Sequence, residues 1–251
     1  MANIKISVIN QCSVLTDAQV KPVVDAMQVQ VHRDFAPEWG IDADLVFVPK
    51  GQTPDASHWW LVLLDDSDTA GALGYHELTP TGLPIGKVFA KTDIDYNLSW
   101  SVTASHELLE MLSDPDINLT TFVQTSNTSG FLFAYENCDA VEDDSFGYEV
   151  NGVKMSDFVL PCYFQRSMPA KKWDFCGHLT GPVPQMLSGG YLSQFAVGMP
   201  GAAPGWTQIN AQKLIGEQHV TDRTTRKVLG ARRHRRAADR AEWKVSTVDK
   251  F

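Results

Sequence analysis

The segment from Ser99 to Asp114-Pro115 constrains this chain most, because it reads as an apolar helix that nevertheless carries His106, Glu107 and Glu110. Asn97 or Ser99 starts it, and Asp-Pro stops it. Val102, Leu108, Leu109 and Leu112 recur between them at helical spacing and can face a core. His106 and Glu110 are four residues apart and share one face, their Cβ atoms roughly 6 Å apart, so both side chains can reach a single ion. Glu107 points beside that face. Whatever receives the apolar side of this helix must leave room for three ionisable side chains.

The surrounding pattern supplies the receiving surface. Residues 3–10 alternate apolar and polar and predict a strand. A helix follows from the N-cap Thr16 through Val20, Val23, Val24, Met27 and Val31, ending near Pro37 and Gly40. Asp44 to Pro49 and His58 to Leu64 read as short buried strands. Ala72 to Leu78 and Leu83 to Ala90 read as extended segments around the turn Pro80-Thr81-Gly82. Residues 119–130, rich in Thr, Ser, Asn and Gly, read as a loop, and 148–165 as containing a hairpin turning at Asn151-Gly152. The Gly- and Pro-rich stretch 177–206 predicts irregular structure, and 211–251 a polar, partly helical tail. The fold class expected is α/β (α+β), a mixed sheet with the site helix, followed by a β-containing, loop-rich C-terminal region. Three parts are expected: a metal-binding domain over 1–160, an extension packed on it over 161–218, and a basic tail over 219–251.

At 251 residues, 43% of them hydrophobic, the chain is long enough for one large domain or two small ones. No apolar run approaches the roughly 20 residues of a membrane span. The N-terminus lacks a basic stretch followed by an apolar one, which predicts a cytoplasmic protein, with export by a non-standard route left open. Cys12, Cys138, Cys162 and Cys176 form no C-x-x-C pair and suggest free thiols in a reducing compartment, with one or two disulfides as the alternative. Charge is uneven: residues 219–251 hold ten Lys/Arg against four Asp/Glu, leaving eleven against twenty-six for the rest of a chain whose net charge is −9. Little but Trp243 interleaves the run Arg232-Arg233-His234-Arg235-Arg236, which argues against specific nucleic-acid recognition. A solvated tail, or one docked on the acidic body, is the expectation.

The order of strands and helices before S-H-E-L-L-E resembles the N-terminal half of zincin-type metallopeptidases, in which a mixed sheet with a substrate-binding edge strand precedes the active-site helix. The resemblance implies that Leu83–Ala90 is the edge strand, His106 a metal ligand, Glu107 the general base, and the substrate a peptide or protein. Glu110 stands where the second His ligand of that superfamily is found. A third ligand from further along the chain is implied, matched here by Glu136 and Asp139, with Glu142 behind them. The string S-H-E-x-x-E followed by an acidic E-x-x-D segment also resembles exordium-type (phosphate-induced) proteins, locally. These resemblances cover roughly residues 1–160.

The expected cofactor is zinc, which lowers the pKa of its water to about 7, so that a neighbouring carboxylate can take the proton. A His/Glu/Glu ligand set neutralises the dication and shifts preference toward harder ions such as Mn²⁺ or Ca²⁺. Two functions follow: a metal-dependent peptidase, or a non-catalytic protein using a carboxylate-rich metal site for stability or binding. Hydrolysis of a non-peptide amide is a weaker third. His76 and His178 are alternative ligands, and Tyr135 and Tyr148 could stabilise an oxyanion, although packing is the commoner role of each. Asp114-Pro115-Asp116 has oxygen ligands at alternate positions but lacks the glycine and closing Glu of a calcium loop, and so reads as a helix-terminating turn. Carboxylates around Cys138 raise its pKa and make it a poor nucleophile.

Overall fold

The computed structural model describes residues 4–68, 72–202 and 204–211. The basic tail and the expected helix within 211–251 lie, but for Ala211, outside the described residues. The chain opens with β1 (Ile4–Asn10) and α1 (Asp17–Val29), which continues through a π-helical stretch (Gln30–Phe35) into α2 (Ala36–Trp39). Thr16 caps α1 as expected: its hydroxyl accepts from the Gln19 N–H, and the Gln19 side chain accepts from the Thr16 N–H. Gly40 ends the run with φ 69°, a left-handed conformation that favours glycine.

Strands β2 (Ala43–Val48), β3 (Trp59–Leu64), β4 (Gly74–Leu78) and β5 (Pro84–Phe89) complete a five-stranded sheet in the order β2-β1-β3-β5-β4. The β1–β2, β1–β3 and β3–β5 pairings are parallel, and only β4 runs antiparallel, against β5. The edge strand beside β5 is therefore Gly74–Leu78, with β2 at the opposite edge. The segment Leu83–Ala90, expected at the edge, lies inside the sheet between β3 and β4. The two extended segments form a hairpin that adds its second strand to β3 first.

Alternation within the strands separates two apolar faces. Ile6, Val8, Leu61, Leu63 and Val88 face a large core shared with α1 and with the site helix, and Ile9, Val48, Val62 and Ile85 face the other way. After β5 come the short α3 (Ala90–Asp95) and then α4 (Trp100–Ser113), which packs across β5 and β4. The expected start and stop of this helix match Trp100 and Ser113 closely, with Ser99 at the N-cap position.

The stretch expected as a loop over 119–130 is largely strand: β6 (Thr120–Gln124) and β7 (Gly130–Ala134) pair antiparallel, leaving only residues 125–129 as the connection. Thr-Thr-Phe-Val is a β-favouring run that the surrounding Ser and Asn residues obscure. The hairpin β8 (Tyr148–Val150) and β9 (Val153–Met155) turns at Asn151-Gly152, both with positive φ. After α5 (Pro161–Phe164), the region expected to be irregular contains β10 (Tyr191–Val197), which joins β7 and β11 (Trp206–Asn210) in a second sheet ordered β11-β10-β7-β6. Val123, Phe133, Tyr163, Phe164, Val183 and Leu192 form the core beneath it. The fold is thus α/β in the broad sense, combining helices with mixed sheets. All four cysteines are free thiols, and among the described residues no helix is long and apolar enough to cross a membrane.

Candidate metal centre

Helix α4 carries His106, Glu107 and Glu110 into the interior, where each is 0% exposed. Burial of three ionisable groups on one helix is costly unless they are paired or coordinate an ion. The chain after β7 runs back across this helix. The Asn137 side-chain amide donates to the Leu109 carbonyl at 3.2 Å, and the Cys138 N–H donates to Glu110 Oε1 at 3.4 Å. These contacts lay the acidic segment over α4 and bring a second element to the imidazole. His106 Nε2 lies 3.2 Å from Glu110 Oε1 and 3.3 Å from Asp139 Oδ1.

The donor set suits a divalent ion. Tetrahedral bonds of about 2.1 Å place ligand atoms about 3.4 Å apart, close to both separations. An imidazolium held between two carboxylates would have the same spacing, and metal content separates the two occupancies. One ligand atom each from His106, Glu110 and Asp139 falls within a common 4.8 Å, and so does one each from His76, Glu110 and Glu136. Glu110 belongs to both trios. The described residues therefore contain groups able to hold a metal ion, and His106, Glu110, Glu136 and Asp139 each fall in one trio or the other. Glu142 is buried but joins neither.

His76 comes from the edge strand, opposite Gly86 of β5. Its Nδ1 lies 3.9 Å from Glu107 Oε2 and 4.0 Å from Glu110 Oε2, and its Nε2 lies 3.2 Å from the Asp114 carbonyl oxygen. A carbonyl can only accept, so Nε2 donates in that contact and the ring is fixed with Nδ1 toward the two carboxylates.

Glu107 lies against the sheet, and two glycines make its space. A Cβ on Gly74 would sit 2.8 Å from Glu107 Oε1, 2.9 Å from Glu107 Cγ and 2.9 Å from Thr103 Cγ2. A Cβ on Gly86 would meet Glu107 Cβ at 3.7 Å and Leu61 Cδ1 at 2.7 Å.

The remaining candidates fall elsewhere. Asp114 Oδ1 accepts from the Asn118 and Leu119 N–H groups, so the Asp-Pro segment is a helix-terminating turn. Tyr148 donates to Asp34 at 2.9 Å, and Tyr135 stacks on Phe164 with ring centroids 4.0 Å apart. Both tyrosines serve packing. Burial, and after it Glu110, pushes the Cys138 thiol well above its ordinary value, in line with its expected inertness. His178 joins Asp157 and Cys176 in a third group. Asp157 went unnoticed in the sequence because no spacing links it to Cys176-Gly177-His178.

Comparison of the chain with protein-family models, curated proteins and solved structures finds no match.

Proposed function

We propose that this chain is a metal-dependent hydrolase acting on peptide bonds, with His106, Glu110 and Asp139 as ligands and Glu107 as general base. The observation that carries the reading is the convergence of His106 Nε2, Glu110 Oε1 and Asp139 Oδ1 from two elements at distances that suit one ion. The resemblance to zincins supplies the substrate class. It gains support from a mixed sheet whose antiparallel edge strand lies beside the site helix. Glu136 and His76 complete the surroundings of Glu110.

A divalent cation bound here supplies Lewis acidity and an acidified water. The protein's residues then do the following. Glu107, held by its packing against Gly74 and Thr103, accepts the proton of the attacking water and returns it to the leaving amine. His76, held by its contact with the Asp114 carbonyl, presents Nδ1 to Glu107 and Glu110. Two carboxylate ligands leave a bound dication nearly neutral, which makes it a milder electrophile than a His/His/Glu set would.

A second reading has its own observation. His106, Glu107, Glu110 and Asp139 are all 0% exposed. A substrate reaches them only if the covering segment moves, whereas a structural or binding metal site needs no such motion.

Metal analysis and one substitution test both readings. His106→Ala is expected to lose one equivalent of metal, and Glu107→Gln to keep it while turnover of a peptide library falls by about 10²–10⁴-fold. Equal inertness of wild type and Glu107→Gln would leave the binding reading standing. Unchanged metal content in His106→Ala would end both.

A further inference from the structure

Away from α4, the segment after β9 meets residues 173–175 through an isolated antiparallel bridge between Val159 and Asp174. The Leu160 N–H donates to the Trp173 carbonyl and the Phe175 N–H to the Phe158 carbonyl, both at 2.8 Å. This pairing sets Asp157 beside the turn Asp174-Phe175-Cys176-Gly177-His178. Asp174 builds that turn: Oδ2 accepts from the His178 N–H at 2.8 Å and Oδ1 from the Leu179 N–H at 2.7 Å, with Oδ2 also 3.7 Å from His178 Nδ1. Gly177, at φ 79°, lets the chain reverse between Cys176 and His178.

Asp157 is used only in half. Its Oδ1 accepts from the Phe158 N–H at 2.8 Å and the Cys176 N–H at 3.1 Å, which fixes the carboxylate's orientation. Its Oδ2 is buried, in a residue 1% exposed, and accepts no hydrogen bond among the described residues. That oxygen points at His178 Nδ1, 3.5 Å away, and the Cys176 thiol completes a set whose ligand atoms lie within 4.8 Å of one another.

We propose that Asp157, Cys176 and His178 bind a zinc-class divalent cation through one oxygen, one sulfur and one nitrogen, clipping the Asp174–His178 turn to the core. A thiolate–imidazole pair selects zinc over calcium or magnesium. Zn–S bonds of about 2.3 Å and Zn–N or Zn–O bonds of about 2.0–2.1 Å require ligand separations of about 3.4–3.6 Å, so the observed carboxylate–imidazole separation already fits. His178 keeps 40% of its side chain exposed, which gives the ion an entry path and leaves a fourth position for water. Lys172, the nearby cation, is engaged with the Phe175 carbonyl and ring. The proposal is independent of the helix site, which contains no thiolate ligand.

The test uses the full-length protein, stripped with chelator under a thiol reductant and reloaded with Co²⁺. A thiolate-to-cobalt charge-transfer band in the near ultraviolet is expected in wild type, in His106→Ala and in Cys138→Ser, and its loss in Cys176→Ser and His178→Ala. Zinc content is expected to fall by one equivalent in the same two variants. His178→Ala changes a part-exposed side chain, so it reports on the ion even if Cys176→Ser fails to fold. Absence of the band from wild type would overturn the proposal, leaving a carboxyl–carboxylate pair and an ordinary imidazole contact. So would a band and zinc content unchanged in His178→Ala.

Discussion

Gly74→Ala tests whether Glu107 is held where its chemistry requires. The added methyl would meet three atoms at 2.8–2.9 Å, two of them on Glu107, which is 0% exposed. Overpacking a filled interior costs about 1–3 kcal/mol, and three contacts of this kind place Gly74→Ala near ~2.5 kcal/mol. Alanine also restricts the unfolded chain, which offsets about 0.4–1 kcal/mol. The net loss is about 2 kcal/mol, or about 4–8 °C in melting temperature for a chain of this length. Gly86→Ala is the internal control. Its methyl makes a single close approach, to the terminal Leu61 Cδ1 at 2.7 Å, and meets Glu107 only at ordinary contact distance, so its overpacking cost is smaller and is largely offset by the restricted unfolded chain. Thermal melts of both variants, with metal content measured alongside, should show a clear drop for Gly74→Ala, a change within about 2 °C for Gly86→Ala, and retained metal in both. In the hydrolase reading Gly74→Ala also loses turnover without losing metal. Indistinguishable melts would refute the close approach of the edge strand to Glu107, and with it the account of how that carboxylate is positioned.

Thr16→Ala removes the reciprocal cap of α1 and should cost about 0.5–2 kcal/mol, read as a shift in the midpoint of urea unfolding. Cys12, buried and hydrogen-bonded to Asp65, has its thiol pushed from an ordinary 9.0 up to about 11. Its stabilising contribution is whole below pH 9 and is lost as pH rises through 11, so the melting temperature of wild type should fall more steeply over that range than that of Cys12→Ser. Added metal at a hundredfold its dissociation constant should stabilise the stripped protein by about 2.7 kcal/mol per site, an increment reduced in His106→Ala and measured by calorimetric melting.

What the sequence revealed follows the range of the interactions involved. The helix 100–113 is legible because its period and its Asp-Pro stop are local, and so is the Asn-Gly hairpin. The edge strand is not, because G-Y-H-E-L and P-I-G-K-V-F are both short extended runs, and only pairing with β3 decides which lies inside. Strands β6 and β10 were hidden by the Ser, Thr, Asn and Gly residues around them. At the site, His106 and Glu110 are proposed from helical spacing, and Glu136 and Asp139 from the resemblance to zincins. The share each takes follows from neither: Asp139 meets His106, whereas Glu136 groups with His76, a histidine weighed in the sequence as a lone residue of doubtful role. It becomes relevant once β4 turns back antiparallel on β5 and is carried over α4. Asp157 left no trace in spacing, because backbone pairing between residues 158–160 and 173–175 brings it to Cys176 and His178.

The Asn137 and Cys138 contacts that lay the acidic segment over α4 set more than the ligand geometry. Opening of those two bonds to Leu109 and Glu110 would carry Asp139 away from His106. The residence time of an ion beneath them is then governed by how often that stretch of chain lifts, whatever the strength of the coordinate bonds. Chelator stripping and amide exchange of the Cys138 N–H would run on one clock, and a cation captured during folding would stay through many rounds of ligand scarcity outside.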